Sequence, residues 1–348
     1  MQFKFRSILS ASLAFVLTTT NLFADMAAFT KGTLYAVDDA TGEATGFVDR
    51  DESQCIEEGE TFLFLDQLFS VPTGMAQSPT GEIFVLEGGT NDSILVLPAP
   101  ADGESRDGKK FLPSVFYENG DGRLTLRTPS DMVLGERGEI YVADDSSRAK
   151  HLIRFVDLDG DGTALGPDEV QVILDSGSLG IQPEKPSALA MHGGLLYYVD
   201  SETGHVVYLV RDINGDGDHN EEGETAIFHQ DARFTDVRSL VSIGDALYAV
   251  NEDDGLIVCM RDVDGDGRAE AVDFVEPGGE FVVLRPTNAG EIPGLGLYVM
   301  SNADDAAYVV RDLDGDGVSD DVTPLFCFEG AISNVSASLF VPHVAAQD

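Results

Sequence analysis

Tryptophan is absent, cysteine occurs three times, and 21 basic residues stand against 62 acidic ones in a chain of 348. The missing indole argues against a cleft that stacks sugar rings. Cys55, Cys259 and Cys327 are too few and too widely spaced for a disulfide framework, and no Cys–His zinc spacing accompanies them. A formal net charge of −41 repels phosphate backbones and anionic lipid, which argues against nucleic-acid and membrane-surface partners. No apolar run reaches the ~20 residues needed to span a bilayer, so membrane insertion is not expected. A Gly-x-Ser-x-Gly elbow, a phosphate-binding loop and a dinucleotide fingerprint are all missing. What remains is a chain with 43% hydrophobic residues, enough for a real core, and a surface suited to binding cations or to salty water.

The first segment reads as an export signal. Lys4 and Arg6 precede the apolar run ILSASLAFVL at 8–17, and small and polar residues lead to Ala24, where cleavage is expected. Residues 1–24 are therefore assigned as signal peptide and 25–348 as one mature domain, secreted or periplasmic.

Repetition decides the architecture of that domain. A short apolar strand ending in an acidic or amide residue recurs about every 50 residues, as YAVDD at 35, FVLEG at 84, YVADD at 141, YVDSE at 198, YAVNE at 248 and YVMSN at 298. Each is followed by a turn and a second apolar strand, then a third, and a short segment such as PTGMA, PSDMV or PSALA opens the next unit. Four strands per unit, glycine-rich turns and no helical periodicity predict an all-β, six-bladed propeller. The first unit lacks its opening strand and the chain ends with ISNVSASLFVP, which is expected to supply it and close the ring without an exposed edge. Closure would bring Cys327 near the first blade, where Cys55 is its candidate partner, while Cys259 reads as a buried small hydrophobe.

Four units carry Asp-Gly loops between the third and fourth strands: DLDGDG at 157, DINGDG at 212, DVDGDG at 262 and DLDGDG at 312. Oxygen ligands at alternate positions around a tight glycine turn match the demands of several calcium ions, with magnesium disfavoured by the ligand count. The expected ligands are Asp157, Asp159, Asp161 and Asp168; Asp212, Asn214, Asp216 and Asp218; Asp262, Asp264, Asp266, Glu270 and Asp273; and Asp312, Asp314, Asp316 and Asp320. In the 212 and 312 loops the closing carboxylate is displaced, to Glu222 or Glu224 and to Asp321 respectively. A degenerate fifth loop starts at Asp49, with Asp51, Ser53, Glu57 and Glu60 in ligand positions. Carboxylates crowded into one turn repel without a cation, and their place at the outer part of the ring makes the expected role structural.

The segment 71–97 and the strings VYLVRDINGDG and YVVRDLDGDG resemble six-bladed propellers of the NHL and soluble glucose/sorbosone dehydrogenase-like group. That resemblance covers most of 30–340 as architecture. It implies a pyrroloquinoline quinone cofactor on the axis, a histidine base and basic contacts to the quinone. Only Arg127 matches the arginine pattern, and the six histidines are expected in outer strands, turns or the tail. The six-bladed lactonase and phosphotriesterase group is similar in blade count and implies one axial calcium, for which Asp131 and Asn288 are the inner-strand candidates.

For the ligand face, Asp38, Glu87, Asp144, Asp200, Asn251 and Ser301 align just before the turn after each second strand. They either accept backbone hydrogen bonds in their own turns or form an electronegative mouth. Three readings stay open: an enzyme on a small molecule, a binding propeller for a small molecule or an extracellular protein, and a structural protein built around its calcium loops.

Overall fold

The structure is a computed structural model that describes residues 32–342 except 52, 54, 66–68, 90–91, 99–112, 121–123, 147–149, 202–204, 280–281 and 327–333. The signal-peptide assignment lies outside the described residues. Twenty-four strands form six antiparallel four-stranded sheets in a ring, so the sequence-derived propeller is the observed fold.

Blade 1 contains β1 (Gly32–Asp38), β2 (Ala44–Phe47) and β3 (Thr61–Leu65), and blade 2 runs from β4 (Pro72–Gln77) through β5 (Ile83–Glu87) and β6 (Ser93–Leu97) to β7 (Ser114–Glu118). Blade 3 is β8 (Pro129–Leu134), β9 (Ile140–Asp145), β10 (Lys150–Phe155) and β11 (Val170–Leu174). Blade 4 is β12 (Pro186–His192), β13 (Leu195–Asp200), β14 (Val206–Val210) and β15 (Thr225–Gln230). Blade 5 is β16 (Val237–Ile243), β17 (Ala246–Asn251), β18 (Ile257–Arg261) and β19 (Glu270–Val275). Blade 6 is β20 (Pro286–Ile292), β21 (Gly296–Ser301), β22 (Ala306–Arg311) and β23 (Asp321–Pro324). The last strand, β24 (Val335–Pro342), pairs antiparallel with β1 along its length and is the inner strand of blade 1.

Both faces of each blade are covered by neighbours, which is why second and third strands such as IFVLE and VVYLV are buried without alternation. Six apolar clusters lie one in each blade-to-blade interface. Leu86, Ile94, Val142 and Phe155 join blades 2 and 3, and Leu34, Phe47, Met300 and Val309 join blades 6 and 1. Each such side chain, fully buried, contributes about 1.5–3 kcal/mol, so packing between blades dominates cohesion. Cys259 is free and buried in this packing, as expected. Cys55 is disulfide-bonded, and Cys327 lies outside the described residues. Beside Cys55, Ile56 bridges to Phe326, which ties blade 1 to blade 6 at the closure.

Candidate functional site

Every inner strand begins with a β-bulge. In blade 2, Pro72 pairs with Glu87 and Gly74 with Leu86, which leaves Thr73 unpaired. The same slip isolates Ser130, Ser187, Arg238 and Thr287, and Ser336 in blade 1. A bulge turns its extra residue out of the alternation. These six residues, one from each blade, line a cavity of about 650 Å³ at one mouth of the axis. The hydroxyls of Thr73, Ser187 and Thr287 are buried without a partner. Ser130 Oγ instead donates to the Pro186 carbonyl of the next blade at 2.8 Å.

Several of the charges around this mouth are paired. The Glu252 carboxylate is 8% exposed and accepts from Arg238 Nε at 2.8 Å and from Arg285 Nη2 at 2.5 Å. Arg238 also holds Asp236 at 2.9 Å, and Asp145 pairs with Lys150.

The aligned strand-end residues lie at this end of the ring but turn into their blades. Asp144 accepts the backbone N–H groups of Arg127 and Thr128 at 3.1 and 2.9 Å. Asp200 accepts those of Glu184 and Lys185, Glu87 those of Ser70 and Val71, and Asn251 that of Asp236. Ser301 Oγ donates to the Leu284 carbonyl, and Asp38 caps its own turn through Ala40 and Thr41. Only Asp38 and Ser301 accept backbone N–H groups within their own turn; Glu87, Asp144, Asp200 and Asn251 accept from the segment that enters the inner strand of the same blade. Their immediate successors Asp39, Asp145, Ser201, Glu252 and Asn302 are the ones that line the cavity. Arg127 has an exposed side chain outside the cavity lining.

Deeper in the axis, Asp131 and Asn288 line a second cavity of about 280 Å³, and Asn288 borders the mouth as well. Asp131 accepts from Met132 N in its own blade and Leu189 N in the next, both at 2.8 Å. Burial outweighs these two bonds and pushes its carboxyl up to about 7. Asn288 Oδ1 accepts from Ser338 Oγ of blade 1. Both residues therefore stitch adjacent inner strands together. One expectation about histidine needs correcting: His192 ends the inner strand β12, with Nδ1 2.9 Å from Ser242 Oγ of blade 5. It stands outside the lining of either axial cavity.

The Asp-Gly loops share one geometry. The first aspartate accepts the N–H groups of the fourth and sixth residues, both glycines at positive φ: Gly160 and Gly162 for Asp157, Gly215 and Gly217 for Asp212. Asp262 and Asp312 repeat it with Gly265, Gly267, Gly315 and Gly317. Only glycine takes this backbone without strain, which explains the D-x-[DN]-G-D-G string. A further carboxylate reaches back to the N–H of the second loop residue in every case: Glu60 to Arg50, Glu169 to Leu158, Glu224 to Ile213, Glu270 to Val263 and Asp320 to Leu313. In the 157 loop this group is Glu169 and not Asp168, whose backbone sits at φ 65°. Asp273 is paired with Arg233, and Asp321 with Arg311. Among the described residues, five groups bring three carboxylates within 4.8 Å of one another: Asp49, Asp51 and Glu60; Asp157, Asp159 and Glu169; Asp216, Asp218 and Glu221; Asp262, Asp264 and Asp266; Asp312, Asp314 and Asp316.

No family model matches the chain, and no curated protein does. Solved structures match the fold. A nidogen/laminin complex aligns over 90% of this chain and 100% of the matched one, at TM-score 0.62 and 15% identity. The quinone-bound aldose sugar dehydrogenase of Streptomyces coelicolor aligns over 82% and 89%, at 0.54 and 12%. A putative 6-phosphogluconolactonase from Bacteroides fragilis aligns over 90% and 98%, at 0.51 and 14%. At these identities the likeness extends to the propeller fold and not to a chemistry.

Proposed function

We propose that this chain is an exported, calcium-holding propeller that binds a small polar ligand at its axial mouth without transforming it. The observation that carries the reading is the ring of bulged residues, with three buried, partnerless hydroxyls around a cavity of about 650 Å³. Buried polar groups favour a ligand that satisfies them, and the volume suits a small molecule. A quinone does not fit this mouth. Of the three cations that line it, Arg238 and Arg285 are already neutralised by Glu252 and Asp236, which leaves Lys185 to meet a polyanionic cofactor, and among the described residues no histidine lines the cavity to act as base.

Calcium suits the loops by the chemistry of their donors. Each offers hard oxygens in a turn whose carboxylates repel one another, and the added acid of each loop supplies further negative charge. The export assignment of the sequence and the net charge of −41 agree with such a role. The test is a thermal-shift screen of the calcium-loaded chain against small polar compounds, repeated on Thr287→Val. A hit lost in that variant, with stability retained, supports binding at the mouth; hits indifferent to it count against the mouth.

A second reading rests on Asp131 and Asn288 sharing one axial cavity. A cation held there would support lactonase-type hydrolysis. Lactone turnover abolished by Asp131→Asn would establish it, and absence of turnover in the calcium-loaded protein would remove it.

A further inference from the structure

The outermost strands of blades 1 to 5 also carry a bulge, and β23 of blade 6 does not. In blade 2, Leu95 pairs with Val115 and Ile94 with Tyr117, so Phe116 is left out of the ladder. Ile173, Phe228 and Phe274 are left out in the same way in blades 3, 4 and 5. A bulged residue turns its carbonyl away from its own partner strand. Each of these carbonyls accepts an N–H from the next blade: Phe116 from Ala164 at 2.7 Å, Ile173 from His219 at 2.7 Å, Phe228 from Ala269 at 2.8 Å and Phe274 from Ser319 at 2.9 Å. The closure joint repeats the contact between Ile56 N and the Leu325 carbonyl at 2.8 Å.

All five donors occupy the eighth position of an acidic loop, counted from Asp157, Asp212, Asp262, Asp312 and Asp49. The acid that reaches back to the second residue falls at the ninth position in two loops and at the twelfth or thirteenth in the others. Length varies after the eighth residue, and its register does not. A loop built only to satisfy itself has no reason to keep one outward amide at one place in five blades.

We infer that each acidic loop is a latch that grips a carbonyl at the outer edge of the preceding blade, at a strand bulge in four joints and at Leu325 in the closure joint, and that filling the loop with calcium locks this grip. The inference rests on the calcium reading above. Carboxylates repelling in an empty loop open the turn that presents the eighth N–H, and the bulged carbonyl then returns to solvent. The apolar clusters between blades stay in place, so the effect is confined to the rim of each joint. Calcium stiffens the joints between blades and leaves the inner strands as they are.

The test is amide hydrogen exchange on the full chain, calcium-loaded and chelated, below the unfolding temperature, with bound ions counted by equilibrium dialysis. On chelation the amides of Ile56, Ala164, His219, Ala269 and Ser319 should exchange about tenfold faster or more, while inner-strand amides of β12 and β16 stay protected. Glu169→Gln should reproduce this at Ala164 alone and leave the other four amides slow. Ions bound and released with the eighth-position amides unchanged would overturn the latch and leave the calcium reading standing. Dialysis finding no bound calcium would overturn both.

Discussion

Asp144 and Asp145 are adjacent, both acidic, and do different things. Asp144 is buried and holds the backbone entering its own inner strand, whereas Asp145 lines the mouth. Consecutive strand residues face opposite ways, so a choice one position off selects the wrong side. The acidic recurrence at Asp38, Glu87, Asp144 and Asp200 was legible in the sequence, but the bulges that set which neighbour faces the axis have no composition signature. Asp144→Asn supplies one acceptor for two backbone N–H groups and turns an amide donor toward the other. It should lower unfolding free energy by about 1–3 kcal/mol in urea melts and leave ligand affinity at the mouth unchanged. Reduced affinity with full stability would instead make Asp144 part of the mouth. Asp131 carries a pH signature. With its folded pKa near 7 against an unfolded value of about 3.9, the native state binds the extra proton between these limits. Its contribution is most favourable below pH about 4 and is lost as pH rises toward 7. Asp131→Asn should flatten that part of the stability profile, measured as urea midpoints from pH 4 to 8. An unchanged slope would show that Asp131 titrates normally.

Among the elements, β24 and the acidic loops divide the work of holding the ring. The alternating small and apolar residues of ISNVSASLFVP, with the missing first strand, were enough to place β24 beside β1, because an unpaired inner strand is costly wherever it is left. Deleting 331–348 strips β1 of its partner and exposes Leu34, Phe47 and their cluster. The truncated chain should fail to show a cooperative thermal transition, and one matching the full chain would mean that the ring closes by other contacts. Cys55→Ser, at the same joint, removes a disulfide and should cost about 2–4 kcal/mol in non-reducing melts, with no further effect of reductant. The loops were legible as far as their aspartates and glycines, since each is required by local geometry. Their closing acids were not. Glu169 and Glu224 are fixed by a reach across the loop whose length varies, and Asp168, Asp273 and Asp321 stood equally near in sequence.

For the whole molecule, packing between blades supplies cohesion and a net charge of −41 opposes it. Fifteen of the 62 acidic side chains are gathered into five tight clusters on the loops, so cations bound there would offset self-repulsion where carboxylates lie closest. Binding to the native state alone stabilises by about 2.7 kcal/mol per site when calcium is a hundredfold above its dissociation constant. Several filled loops would therefore rival the entire margin of an ordinary domain, which is about 5–15 kcal/mol. The decisive measurement is thermal unfolding of the full chain in excess chelator, after restoring calcium, and after adding magnesium instead. The midpoint should fall on chelation, recover fully with calcium and recover little with magnesium; a midpoint indifferent to all three would contradict the account.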